Sequence, residues 1–313
     1  MTSPPAGLFL RADPADAGLV RLRTALARTL ATVAGARFAS LFLDAPVAIA
    51  VPAAAALRAQ LDVGGWLMPD AEVTWHGPVA SPAALRALDV TRRSLPGPPI
   101  ERRARPATGL AIELGQADLP HPPDDAWMRR MLAAGMVHLG LSGSELPAAW
   151  VALVDRLLQA HGFCRYETLH WSLPGHEARW LLDARRGRAI MGLGPSAYGR
   201  WPDAAGWRWW RSPGAAAWCR AMDRGGAGRG RLHRLTAQER AQERVIDGLR
   251  LAEGITPAAI EAETGLLRSS WLDEDALARL CATDRLHDLD GRLIAADPAE
   301  ADALARALLR WPA

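Results

Sequence analysis

Residues 162–200 read GFCRYETLHWSLPGHEARWLLDARRGRAIMGLGPSAYGR, the densest run in the chain of residue identities that packing alone does not call for. A Tyr166-Glu167 pair is followed by a Pro174-Gly175 turn signal, and a Gly-Leu-Gly-Pro-Ser-Ala block spans Gly192 to Ala197. Proline beside glycine punctuates a chain because one fixes φ and the other admits positive φ. Gly192, Gly194 and Pro195 shape a tight loop better than they cradle a phosphate, since a lone GxG lacks the strand-then-helix GxGxxG context.

Upstream of this stretch the hydrophobic period switches repeatedly. Gly7 to Arg11 is a short apolar strand closed by Asp13-Pro14, and Leu19, Leu22, Leu26, Leu30 and Val33 follow at helical spacing. Phe38 to Leu43 predicts a second strand, and the Ala-rich run from Pro52 to Leu61 a helix with proline in its first turn. Ala71 to Trp75 is a third strand, and Ser81-Pro82 caps a helix running to about Leu88. Ser94 to Pro106 is rich in Pro, Gly and Arg without periodicity and predicts an exposed loop. Strand Leu110 to Leu114, helix Trp127 to Ala134, strand Val137 to Ser142 and helix Ala148 to Ala160 complete about five strand–helix alternations. That is the pattern of parallel βαβ units, which a partial or open α/β barrel closes naturally.

Downstream, five tryptophans (Trp201, Trp207, Trp209, Trp210, Trp218) precede a Gly-Arg loop from Gly225 to Arg231. From Leu235 the character becomes helical. Thr236 with Glu239 forms a capping box, Thr256-Pro257 and Asp273 start two further helices, and Leu286 to Ala295 predicts a hairpin around Asp290-Gly291. A last helix runs from Pro298 to Leu309. The expected division is therefore an α/β partial barrel with its following segment over residues 1–234, and a winged-helix-like C-terminal domain over residues 235–313.

Composition bounds the function classes. The chain has 313 residues, half of them hydrophobic, enough for a sizeable core. All 37 basic residues are Arg, and the formal charge is only +3, a weak footprint for a polyanion partner. The Asp and Glu residues of the C-terminal segment oppose a phosphate-binding face, so its winged-helix character does not imply nucleic acid. Cys164, Cys219 and Cys281 are odd in number and far apart, which predicts reduced thiols, no disulfide framework and a cytoplasmic protein. No apolar stretch is long enough for a membrane span, and no signal-peptide pattern opens the chain. No Ser-His-Asp order, HExxH or P-loop supports a hydrolase or nucleotide enzyme.

With those residues in view, the chain resembles the oxygen-independent coproporphyrinogen III oxidase-like radical S-adenosylmethionine (SAM) family, especially the shorter branch that includes the bacterial haem chaperone HemW. GFCRYE is similar to the family's Gly-Phe/Tyr-x-x-Tyr-Glu, SLPGHE to its Ala-x-Pro-Gly-x-x turn, and MGLGPSAYGR to its Leu-Gly-Leu-Gly-Pro-Gly-Ala-His-Gly. Weaker likenesses lie at Gly7 to Leu10, at Pro69 to Trp75, and at Glu243 to Ile255, where the family's C-terminal winged-helix-like domain opens. The resemblance implies a radical-SAM-type α/β partial barrel, here shortened, with that domain behind it.

It also implies a 4Fe–4S cluster on three thiolates of a CxxxCxxC loop after the first strand, because soft sulfur holds iron and sets its potential. The corresponding loop reads RADPADAG, from Arg11 to Gly18, and no Cys precedes Cys164. The family's Gly-Gly-Gly-Thr-Pro is reduced to Asp44-Ala45-Pro46, and a Glu after its Glu-Val-Thr-x strand becomes His76. Its His-Asn pair becomes Trp180-Leu181, and its last-motif His becomes Tyr198. The resemblance thus predicts a pseudoenzyme with no catalytic residue and no cluster at the usual site.

The candidate ligands of such a protein are haem or another tetrapyrrole, or a protein partner for which it is a scaffold. Imidazole and thiolate are the usual axial donors to haem iron, which marks His170, His176 and Cys164 as candidates for cofactor binding. Tyr166, Glu167, Gly192 and Gly194 are candidates for a pocket wall. Glu167 is equally explained as a buried carboxylate accepting backbone hydrogen bonds, and His138 as a plain strand residue. The tryptophans suit a porphyrin-sized apolar surface or a core. Two other readings stay open: a functional coproporphyrinogen III oxidase-like enzyme of porphyrin biosynthesis with an iron–sulfur site elsewhere, and a purely structural interaction protein.

Overall fold

The computed structural model describes residues 6–13, 19–33, 35–77, 81–96, 110–115, 124–142, 146–226, 228 and 230–311. Strands and helices alternate as β1 (Ala6–Arg11), α1 (Val20–Leu30), β2 (Phe38–Asp44), α2 (Val51–Val63), β3 (Leu67–His76), α3 (Pro82–Leu88), β4 (Arg92–Pro96), β5 (Leu110–Gly115), α4 (Asp125–Ala133), β6 (Met136–Ser142) and α5 (Ala148–Gln159). Residues 162–200 then supply β7 (Cys164–Glu167), β8 (His170–Ser172), α6 (Arg179–Arg185) and β9 (Ile190–Leu193), and their end begins β10 (Tyr198–Asp203). β11 (Gly206–Arg211), α7 (Ala215–Asp223) and β12 (Leu232–Arg234) follow.

All twelve strands join one sheet in the order β12-β11-β10-β9-β1-β2-β3-β4-β5-β6-β8-β7. The seven from β9 to β6 run parallel, and antiparallel strands extend both ends. The sheet is open: β12 and β7 are its two edges among the described residues. The return of the chain to β9 beside β1 is what places the GLGPSA block against the first strand. There the glycines are needed for close approach. A Cβ on Gly192 would lie 1.7 Å from the Tyr198 carbonyl oxygen, and one on Gly194, whose φ is +109°, would lie 1.9 Å from that of Arg11.

The expected loop over Ser94 to Pro106 begins instead as part of β4, while residues 97–109 lie outside the described set. The strand escaped its pattern because two of its five residues, Arg92 and Ser94, are polar yet buried. One face of the sheet is apolar over β1 to β3: Leu8, Leu10, Leu41, Leu43, Val73 and Trp75 pack on Leu22, Leu26, Leu57 and Leu61 of α1 and α2. Further along, Ile112, Leu114, Leu139 and Leu141 pack on Met128, Val151, Val154 and Leu158 of α4 and α5. Each such side chain removed from water stabilises the fold by about 1.5–3 kcal/mol.

The C-terminal segment has its own apolar cluster. Helices α8 (Ala237–Leu249), α9 (Pro257–Thr264), α10 (Arg268–Trp271), α11 (Glu274–Ala282) and α12 (Ala301–Leu308) gather Val245, Leu249, Ile260, Trp271, Leu304 and Leu308. β13 (Leu286–Leu289) and β14 (Arg292–Ala295) form a two-stranded antiparallel hairpin. Its tip has Asp290 and Gly291 both at positive φ, as a two-residue hairpin with the strand twist requires. The capping box at Thr236 and Glu239 is present.

Candidate functional site

Strand residues alternate between faces, so the sheet's second face carries the other parity of the same strands. It reads Phe9 on β1, Phe42 on β2, Thr74 and His76 on β3, Arg92 and Ser94 on β4, Glu113 on β5 and His138 on β6, all lining a cavity of about 790 Å³. A buried parallel sheet is ordinarily apolar on both faces, so polar side chains on four neighbouring strands mark a site. The cavity lies on the same face as α6 and is closed in part by Trp180, Leu181, Tyr198 and Arg211.

Two groups of side chains line this space. One is aromatic: the ring of Phe9 lies 5.9 Å from Phe42, 5.7 Å from Trp180 and 5.8 Å from Tyr198, and Phe42 stacks on His76 at 5.6 Å. The positions where the resemblance notes losses, His76, Trp180 and Tyr198, thus meet on one surface.

The other wall is charged. Glu167, 2% exposed, accepts a hydrogen bond from Leu169 N at 2.9 Å, pairs with Arg185 Nε at 2.9 Å and lies 2.8 Å from His170 Nδ1. Burial acts to raise its pKa, but the His170 hydrogen bond and charge, with Arg185, more than offset this and hold it at about 2. Burial likewise acts to lower His170, yet Glu113 and Glu167, one at each ring nitrogen, push it up to about 9. Arg185 continues to Asp247 at 3.0 Å, and Asp247 and Glu243 hold Arg200 at 2.9 and 3.0 Å. This chain of ion pairs ties the cavity wall to α8.

His138, 1% exposed, has Nε2 2.7 Å from the Tyr166 hydroxyl, which also accepts from Ala178 N at 3.3 Å. Burial first, then the positive charges of Arg92 and His170, push the His138 pKa well below its usual value, so the ring is neutral. If the Tyr166 hydroxyl donates to Nε2, that hydroxyl is satisfied, and Nδ1 carries the proton with no acceptor within hydrogen-bond distance.

The candidates from the sequence are dispersed. His170 lines the cavity, Tyr166 and Glu167 stand behind its charged wall, and Gly192 and Gly194 set strand spacing. Cys164 is exposed on β7, the sheet's edge strand, and His176 lines a separate hollow of about 330 Å³ with Asp70, Glu72 and Glu177. Cys164, His170 and His176 therefore do not converge on one point, and both nitrogens of His170 are engaged by carboxylates. Sequence reasoning missed Thr74, Arg92, Ser94 and Glu113. A signal was available only in AEVTWH, where Glu72, Thr74 and His76 occupy alternate positions.

The residues present do not fit the iron–sulfur cluster that the resemblance implies. Among the described residues that follow β1, Asp13 meets one cysteine, Cys219 of α7, with Sγ 2.7 Å from Asp13 Oδ2, and burial together with that carboxylate pushes its thiol up to about 11. Cys164 is on the far edge strand and Cys281 packs against the C-terminal core. One protonated thiol cannot replace three thiolates. Where the family's glycine motif would follow β2, an Arg11–Asp44 ion pair of 3.1 Å joins the ends of β1 and β2.

No protein-family model matches the chain, and no curated protein matches its sequence. Its fold does have a counterpart: coproporphyrinogen III oxidase (HemN) from Escherichia coli, a radical SAM enzyme, superposes with a TM-score of 0.73 over 98% of this chain and 90% of that one. The two are 14% identical, and the likeness is one of fold.

Proposed function

We propose that this chain is a cluster-less, non-catalytic relative of the coproporphyrinogen oxidase-like radical SAM proteins that binds a tetrapyrrole in the cavity of its parallel sheet. The observation that carries this reading is the two-walled cavity itself. Its volume of about 790 Å³ lies within the range of small-molecule sites, about 300–1,000 Å³. Phe9, Phe42, Trp180 and Tyr198 offer an aromatic, apolar lining to a macrocycle, and cationic groups line the same cavity. HemN acts on coproporphyrinogen III by its name, and the shared fold brings the same ligand class into consideration.

Catalysis is left out of the proposal because the cysteines are dispersed over β7, α7 and α11. Iron ligation is left out as well, because His170 as an imidazolium held by two carboxylates has no lone pair to give. Binding then rests on the ring and its substituents, and metal-free porphyrin binds about as well as haem. Titration of the purified chain with coproporphyrin III and with haem, followed by absorbance and by tryptophan quenching, tests this. Saturable binding of both supports it, and absence of saturable binding overturns it in favour of a scaffold. Iron and sulfide in anaerobically purified protein, with cleavage of SAM, overturn the non-catalytic part.

A further inference from the structure

We infer that the cavity reads a ligand through carboxylates at two places, Arg92 in the depth of the sheet and Arg211 at the rim. The inference rests on the tetrapyrrole reading and adds to it the substituent chemistry that is recognised. Arg92 is 8% exposed on β4 and lines the cavity, but its partners are poor for a buried guanidinium. Nη1 donates to the His176 carbonyl oxygen at 2.9 Å and approaches Glu72 only to 3.8 Å, while Nη2 is buried with no hydrogen-bond partner. Glu72 is anchored through its other oxygen, Oε1, which accepts from Thr74 Oγ1 at 3.1 Å and from Trp180 N at 3.5 Å, and Oε2 stays beyond hydrogen-bond distance of Arg92.

A buried donor without an acceptor is costly, and native proteins keep few of them outside functional sites. A second one belongs to the same wall. His138 Nδ1 is buried without a hydrogen-bond partner, 3.9 Å from Glu113, and its Nε2 is already committed to Tyr166. Ala111 is the small residue between β4 and β6 in the register that joins Ser94 to His138. Two donors without acceptors on one wall match the two oxygens of a carboxylate. Glu113 does not cancel them, because its charge is matched by the His170 imidazolium 3.6 Å away. Nη2 is sealed in the free chain, so the anion is received by a turn of the guanidinium toward the cavity, a side-chain change common on binding.

The other cations of the wall are spoken for: Arg185 by Glu167 and Asp247, Arg200 by Glu243 and Asp247. Arg211 differs. It ends β11 opposite Tyr198, is exposed, lines the cavity and makes no ion pair among the described residues. A macrocycle lying on the aromatic wall, with acidic arms on its edge, presents one arm inward and another to the rim.

The experiment compares coproporphyrin III with its tetramethyl ester, which keeps the ring and removes the charges, by tryptophan quenching. The wild-type chain is expected to bind the acid about tenfold or more tightly than the ester, the scale of buried charge-assisted hydrogen bonds. Arg92→Gln should remove most of that preference, and Arg211→Gln, an exposed change that leaves the core intact, about two- to fivefold of it with a reduced salt dependence. Ester binding as tight as acid binding in the wild-type chain overturns the inference and leaves the tetrapyrrole reading standing. No binding of either ligand overturns that reading and the inference with it. An Arg211→Gln variant with unchanged acid affinity and salt dependence overturns the rim site.

Discussion

Leu41 and Phe42 are neighbours on β2 and face opposite sides of one sheet. Leu41 is 0% exposed, in the layer that Leu8, Val73 and the helices α1 and α2 fill completely. Phe42 is only partly buried and borders the open cavity with Trp180 and His76. Both residues satisfy the strand equally, so the strand does not distinguish them. What differs is the opposite surface: protein on one side, space on the other. Leu41→Ala is expected to cost about 3–5 kcal/mol, because a flat sheet–helix layer cannot collapse around the void. Phe42→Ala removes more atoms and is expected to cost only about 1–2 kcal/mol, because its ring is partly buried and borders the cavity, where it has fewer partner atoms to lose. Urea denaturation with equal m-values checks both. Equal losses would mean that the second face is packed core and no site.

The charged wall sharpens the same contrast from the polar side. Glu167 is as buried as a core leucine, but it is held by Arg185, His170 and the Leu169 amide. Glu167→Gln keeps the shape and removes the charge, leaving two cations facing a neutral amide. Breaking a buried pair from one side costs about 3–5 kcal/mol when no other partner remains. Here Asp247 still holds Arg185 and Glu113 still faces His170, so a loss of about 2–3 kcal/mol is expected, below that of Leu41→Ala. Thermal and urea unfolding read it. A neutral result would show the network to be solvated in solution.

The fold was legible because its signals are local. Hydrophobic period, Ser81, Thr236 and Asp273 as caps, and Asp290-Gly291 as a turn each act within a few residues, and each is found where the pattern places it. β4 was not legible as a strand, because a strand facing a polar cavity loses the apolar alternation by which strands are recognised. The site was legible in part. Gly162 to Arg200 does bring His170, Trp180, Arg185 and Tyr198 to the cavity, but much of the remaining wall comes from β1 to β6, one to three residues from each strand. Such residues are scattered over more than a hundred positions and meet only through the register of the sheet. The proposed axial ligands failed to assemble for the converse reason. Cys164, His170 and His176 are close in sequence, but a hairpin strand pair and a turn send them in different directions.

The smallest effect separates the two faces by pH. The apolar layer has nothing to titrate, so the loss in Leu41→Ala should be the same at every pH. The charged wall should bend the stability curve. His170 is raised from 6.5 to about 9 in the folded chain, so its contribution is complete below pH 6.5 and disappears as pH rises toward 9. Glu167 is lowered from 4.5 to about 2, so its contribution is complete above pH 4.5 and disappears as pH falls toward 2. The ion pair is therefore whole between about pH 4.5 and 6.5, and stability declines on both sides. The alkaline decline is the gentler test, because a neutral His170 still leaves Glu167 the guanidinium of Arg185. It should shrink in Glu167→Gln, where the imidazole has lost one of its two carboxylates. Denaturation midpoints of the wild-type and variant chains from pH 5 to 9.5 give the comparison. Parallel curves for the two would show that Glu113 alone raises the ring, and that the buried carboxylate is structural ballast for Arg185.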